Sequence, residues 1–292
     1  MELLRAATLT VPDPEATAAR YCEWLDYSVE ERGAVSHDLA VAWGCPASAG
    51  RASVVCRPAS GADVFIRFVA GETPPDYLPL RTWGWAAIEI CTRDTIAVNA
   101  RMERSPFEII GPPRELDGMP AIFPMQVKGP DQEIVYLTQI RENLPAYDLP
   151  RADALIDKLF ILVLACSDMQ ASLDWFEREL KLSPGRSMDI VYTMIARAFD
   201  LPMEDKHTIA TMIHGRDCFL ELDQYPDAAT PRPAEPGALP PGVAMTTFRH
   251  PDFDALSGWI KPPTIRQGVV YGGKRAGTLR APDGVLVEVV EA

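Results

Sequence analysis

The chain lacks any apolar run near the roughly 18–20 residues that span a bilayer, which excludes a membrane-spanning helix. It lacks a block of Lys and Arg: 28 basic residues stand against 41 acidic ones, a formal charge of -13. Nucleic-acid binding needs clustered cations to displace counterions from phosphates, so a nucleic-acid partner is excluded as well. Its six cysteines include no C-x-x-C pair, and most sit among apolar residues, as Cys91 does beside Ile90 and Cys218 beside Phe219. Zinc and redox centres need paired spacing, so these cysteines read as small buried apolar residues. No phosphate-binding glycine loop, nucleotide fingerprint or Ser-His-Asp elbow occurs; Gly272-Gly273-Lys274 is better read as a hairpin turn. The first residues, MELLRAATLTVPDPEA, lack the basic start, apolar stretch and cleavage site of a secretory leader, so a cytoplasmic location is the expectation. Histidine is scarce, with only His37, His207, His214 and His250.

What is present is a globular composition and an internal repeat. The 292 residues are 47% hydrophobic and 24% charged, enough to build two ordinary cores. Laying Val11-Pro12-Asp13 on Cys166-Ser167-Asp168 brings the two halves into line. Each has an apolar strand before the Asp and a helix after it. In the second copy Leu173, Phe176 and Leu180 fall on one helical face, and Ser167 or Asp168 can cap the N-terminus. Gly44-Cys45-Pro46 then lies over Asp200-Leu201-Pro202, and two further strands follow in both halves. The remaining quarters match too. Gly84 to Ile90 precedes Asp94, and Gly242 to Phe248 precedes Asp252, the expected cap of a helix over Phe253 to Trp259. They end in Gly129-Pro130-Asp131-Gln132 and Ala281-Pro282-Asp283-Gly284, each followed by a strand; Asp-Gly is a strong hairpin-turn dipeptide.

The pattern predicts an α+β fold of four βαβββ units. Leu144 to Ala154 reads as the linker between halves, giving domains over 1–143 and 155–292, and the proline-rich stretch Pro226 to Pro241 reads as an extended connection between units three and four.

Ala165-Cys166-Ser167-Asp168 with the Trp175-Phe176 helix, Phe219-Leu220-Glu221-Leu222, and Pro282-Asp283-Gly284-Val285-Leu286-Val287-Glu288 resemble the vicinal oxygen chelate superfamily of glyoxalases, extradiol dioxygenases, epimerases and bleomycin-resistance proteins. The resemblance covers roughly residues 5–140 and 157–291 and implies paired units whose curved mixed sheets enclose cavities. It also implies that metal ligands, where present, come from the first and last strand of each unit. The first-strand stretches are Ala6 to Leu9, Trp85 to Ile88, Phe160 to Val163 and Val243 to Thr246, and none contains the usual His. The last-strand positions hold Arg67, Tyr136, Glu221 and Glu288. An iron site of two His and one carboxylate is therefore not matched. No metal and no cofactor is the expectation, a weakly held divalent cation the minority alternative.

Two carboxyls in one apolar cavity raise each other's pKa, so that one can serve as acid and the other as base. On this ground Glu221 and Glu288, in the cavity of the second half, are the candidate catalytic pair, with His207 beside them. The competing expectation is an ion pair between either glutamate and Arg197, Arg275 or Arg280. Tyr192 (on an inserted helix over Asp189 to Phe199, whose Ile190, Met194 and Phe199 suggest an apolar lid), His214, Thr247, Tyr271 and Arg280 are candidate ligand-binding residues. Arg67 and Tyr136 mark the first half as structural. The functional expectation is proton transfer on a small apolar or aromatic metabolite: isomerisation, epimerisation or elimination. A sequestering resistance protein, and a dioxygenase-like enzyme with relocated ligands such as His207 or His214, are the alternatives. A small molecule is the expected partner, and a homodimer an admissible assembly.

Overall fold

A computed structural model describes residues 3–116 and 118–292. Unit one runs β1 (Leu4–Val11), α1 (Pro14–Trp24), β2 (Tyr27–Ala34), α2 (His37–Ala42), β3 (Ala52–Pro58) and β4 (Phe65–Ala70). Unit two runs β5 (Gly84–Thr92), α3 (Thr95–Met102), β6 (Glu108–Gly111), β7 (Ile122–Lys128) and β8 (Ile134–Ile140). Unit three runs β9 (Ile156–Cys166), α4 (Met169–Leu180), β10 (Ser183–Val191), α5 (Thr193–Ala198), β11 (Lys206–His214) and β12 (Asp217–Gln224). Unit four holds β13 (Gly242–His250), β14 (Thr264–Ile265), β15 (Arg275–Arg280) and β16 (Leu286–Glu291). Among the described residues no helix is long and apolar enough to cross a membrane.

The repeated aspartate does the same work three times. The side chains of Asp13, Asp94 and Asp168 each accept N–H groups of the first turn, starting α1, α3 and α4. Asp252 does not, which corrects the expected helix over Phe253 to Trp259: only a 3-10 turn, Phe253–Ala255, forms. Gly258 with φ 77° and the Pro262-Pro263 pair leave no room to propagate a helix. The Asp283-Gly284 turn is as expected, with φ of 58° and 74° at its two residues.

The sheets pair units in a way the repeat does not reveal. One eight-stranded sheet has the order β14-β15-β16-β13-β1-β4-β3-β2, the other β10-β11-β12-β9-β5-β8-β7-β6. Unit one thus joins unit four through antiparallel β1 and β13, and unit two joins unit three through β5 and β9. The expectation that each half of the chain closes its own cavity is corrected: every sheet takes one unit from each half. The physical reason is that the four central strands are almost wholly buried. Continuous apolar runs carry no alternation that would choose a partner.

Within each sheet the pleat separates two environments. Ile88, Ile90, Leu162, Leu164, Val135, Leu220 and Leu222 enter the largest core, shared with Leu9, Ile66, Phe68, Val287 and Val289 of the other sheet. Intervening residues face the opposite way, into a separate cluster with Ala87, Cys91, Tyr136, Ile161 and Val163. The side chains that interrupt these apolar runs, Arg67, Glu89, Glu221 and Glu288, are on the second face. The cysteines are all free, with Cys22 half-buried and the other five buried.

Candidate active site

In the sheet of units one and four, β4 places Arg67 beside its partner Thr8 on β1, and β16 places Glu288 beside Thr247 on β13. Arg67 and Glu288 form a buried ion pair, Nη2 to Oε2 3.0 Å, with side-chain exposures of 4% and 2%. Glu288 accepts three further hydrogen bonds: from Trp43 Nε1 at 2.7 Å, Tyr271 Oη at 2.9 Å and Thr247 Oγ1 at 2.8 Å. Arg67 donates to Thr8 Oγ1 at 3.0 Å and Tyr271 Oη at 2.7 Å, and its guanidinium lies 4.7 Å from the Trp43 ring centroid. Burial works against the Arg67 charge, but Tyr271 and Glu288 outweigh it and raise the pKa. A buried pair with this many hydrogen bonds is a closed unit. Glu288, Thr247 and Tyr271 are therefore brought together, as partners of Arg67. The expected cation partner of a glutamate exists, but it is Arg67 from the other half of the chain. Arg275 binds Glu291 and Asp254, Arg197 donates to Ile110 O, and Arg280 donates to Gly284 O.

In the sheet of units two and three the corresponding pairs are Glu89 with Tyr136, and Val163 with Glu221. Glu221 and Glu288 are thus in different sheets, which corrects the expectation that they share a cavity. Glu221 instead shares one with Glu89, which lies one residue beyond the first-strand stretch searched for histidine. The signal was an acid inside the apolar run Ile88-Glu89-Ile90, on a strand too buried to leave it in water. Tyr136, assigned to a structural half, lines the same cavity.

That cavity has a volume of about 80 Å³, several times the roughly 10–15 Å³ one water needs. Apolar side chains such as Phe160, Ile161, Met188 and Ile209 form most of its wall, and Glu89, Glu221, Tyr136 and Tyr192 its polar centre. Leu144, Tyr147 and Leu149 also line it, so the stretch expected to be only a linker closes one side. The phenol groups of Tyr136 and Tyr192 hydrogen-bond each other. Tyr192 stands at the N-cap position of α5, so β10 ends and a helix begins within the segment expected to be helical throughout.

Among the described residues no lysine or arginine pairs with these carboxyls. Burial pushes Glu89 up to about 7. Two residues on from Glu221, on the same face of β12, Asp223 is 1% exposed and neither of its carboxylate oxygens meets a donor. Burial, with the Glu89 charge added, pushes Asp223 up to about 8. Glu221 is raised well above the carboxylate range by burial and then by Asp223 and Glu89. A proton on Glu221 supplies the donor that Asp223 otherwise lacks.

The remaining candidates are elsewhere. His207 is the second residue of β11 and is not among the residues lining the cavity; its Nε2 has no partner and burial lowers its pKa. His214 ends β11 against the His250 ring, outside the cavity, because it faces the turn to β12. Arg280 is exposed beside a groove formed with Gly44 and Pro236. The donor sets do not fit a catalytic metal: Arg67 already neutralises one site, the other has no imidazole, and among the described residues no three His, Cys, Asp or Glu side chains converge as a metal site.

The architecture, four strand-rich units in one chain, is similar to that of solved glyoxalase I structures. Glyoxalase I from Zea mays superposes with a TM-score of 0.64 at 15% identity, over 99% of this chain and 92% of that one. A Bacillus subtilis strain 168 protein, named as a candidate dioxygenase, superposes with a TM-score of 0.63 at 13% identity, over 99% of this chain and 85% of its own. No family model matches the chain, and no curated protein sequence does. At these identities the likeness is one of fold.

Proposed function

We propose that the cavity of units two and three catalyses metal-independent proton transfer at a carbon next to a carbonyl group, as an isomerase, epimerase or lyase acting on a small, largely apolar molecule. The observation that carries this is a set of buried carboxyls at an apolar cavity that, among the described residues, pair with no cation. Glu89, raised to about 7, is partly ionised near neutral pH and is the base that removes the proton. The electron pair moves onto the carbonyl oxygen, where the Tyr136–Tyr192 pair donates: one phenol O–H is spent on the other phenol, the second is free for the substrate. Glu221, kept protonated by burial and Asp223, returns a proton to the carbon skeleton. The step balances without an oxidant, reductant or metal.

The test is hydrogen–deuterium exchange in D2O across a panel of apolar ketones and aldehydes, read by NMR. Protein-dependent exchange is expected, lost by about 100-fold or more in Glu89→Gln and in Glu221→Gln. Exchange should rise with pH through about 7 as Glu89 ionises. Exchange that persists in both variants removes the assignment. Ligands that bind without exchanging point instead to sequestration.

A further inference from the structure

Among the described residues, Arg186 is the only lysine or arginine whose side chain lines the cavity of units two and three. It lies on the edge strand β10, is exposed, and its guanidinium has no ion-pair or hydrogen-bond partner. Other exposed arginines of this acidic chain, Arg32 and Arg216, do pair with carboxylates.

The position of Arg186 is built. The β10–β11 register slips between Pro184 and Ser187, a β-bulge, and bulges re-aim side chains. The bulge is held by the Arg186 N–H, which donates to Tyr147 Oη at 2.8 Å and Thr211 Oγ1 at 3.1 Å. Both acceptors line the cavity as well. Gly185 is required, since a Cβ there would collide with Thr211 Oγ1. Thr211 is in turn the direct β-pair partner of Glu221. The bulge therefore places a cation at the rim, on strands continuous with the acid group at the centre.

From this we infer that the ligand of this cavity is an amphipathic acid, its apolar body among Phe160, Ile161 and Met188 and its anionic group on the Arg186 guanidinium. The orientation follows from charge. The centre holds no cation among the described residues and carries Glu89, partly ionised near neutral pH, and the chain as a whole carries -13. The rim is the place where an anion gains a charge-assisted, bidentate contact. The inference rests on the preceding reading of this cavity as the ligand site, but not on the proton transfer.

The experiment compares two probes with the same body, phenylbutyrate and phenylbutanol, by calorimetry or ligand-observed NMR. The wild-type protein should bind the acid about tenfold more tightly than the alcohol. Arg186→Gln should level the two by weakening the acid alone, and Arg186→Lys should retain part of the preference. Because the side chain is exposed and unpartnered, neither substitution threatens folding. Equal affinities for acid and alcohol in the wild type, no binding of the acid, or a preference that survives in Arg186→Gln each overturns the inference. Exchange chemistry does not enter these affinities, so failure of the proton-transfer reading registers separately.

Discussion

Thr8, Arg67, Thr247 and Glu288 stand in one sheet where Glu89, Tyr136, Val163 and Glu221 stand in the other. The scaffold positions correspond and the chemistry is opposite. In the first set a guanidinium meets the carboxylate and every oxygen of Glu288 is hydrogen-bonded. In the second, a phenol replaces the guanidinium and a second carboxyl replaces a hydroxyl. These exchanges, Tyr136 for Arg67 and Glu89 for Thr8, thus separate an inert buried pair from acids raised toward neutral pH. Burial alone does not make a carboxyl reactive; burial without a partner does.

The sharpest way to break this contrast is Arg67→Met. It strands Glu288 as an unpaired buried charge and should cost about 3–5 kcal/mol, read as a lowered denaturation midpoint. Glu221→Gln, the matching change in the other sheet, should alter stability by no more than about 1 kcal/mol, since Glu221 is already protonated. Comparable losses in both variants would end the distinction.

A smaller effect concerns pH. Glu89 moves from an ordinary 4.5 to about 7 on folding, so the folded state binds the extra proton. Its contribution is fully present below pH 4.5 and is lost as pH rises through about 7. Glu89→Gln should therefore gain stability relative to wild type on going from pH 5 to pH 7, by up to about 3 kcal/mol. Guanidinium denaturation at several pH values checks the slope; a difference independent of pH contradicts the raised pKa.

Trp43→Phe removes one of four hydrogen bonds to Glu288 while keeping the ring beside Arg67, and should cost about 1–2 kcal/mol. The smallest effect is expected from Tyr192→Phe, which removes a phenol from an already paired set. It should change stability by about 1 kcal/mol or less, yet slow exchange at least tenfold if the pair stabilises the enolate. A rate equal to wild type would reassign Tyr192 to the wall.

Much of the fold was legible. The aspartates at 13, 94 and 168 announce helix starts because a capping side chain acts locally, and the Asp283-Gly284 turn is equally local. Unit pairing was not legible, because β1, β5, β9 and β13 are all rich in apolar residues and buried on both faces, so no alternation marks which of them pairs with which. The site was read in part. Glu221 and Tyr192 were found as inward residues, but Glu89 was passed over because the first strands were searched for imidazole. Asp223 was missed although Leu220-Glu221-Leu222-Asp223 alternates acid with leucine, the pattern of a strand with one face unlike the other. Arg186 carried no sequence signal at all: its aim depends on a bulge, which arises from pairing with β11.

The joining of unit one to unit four also orders assembly in time. Units two and three are neighbours along the chain and can close their sheet as soon as both have been synthesised. Unit one must hold β1 open until β13 emerges, since Leu4 finds its register against Phe248. Such a long-range closure is slow, and the waiting strand edge is exposed to wrong partners meanwhile. The cavity with the reactive carboxyls thus belongs to the part that forms early, and the Arg67–Glu288 pair is the latch set last.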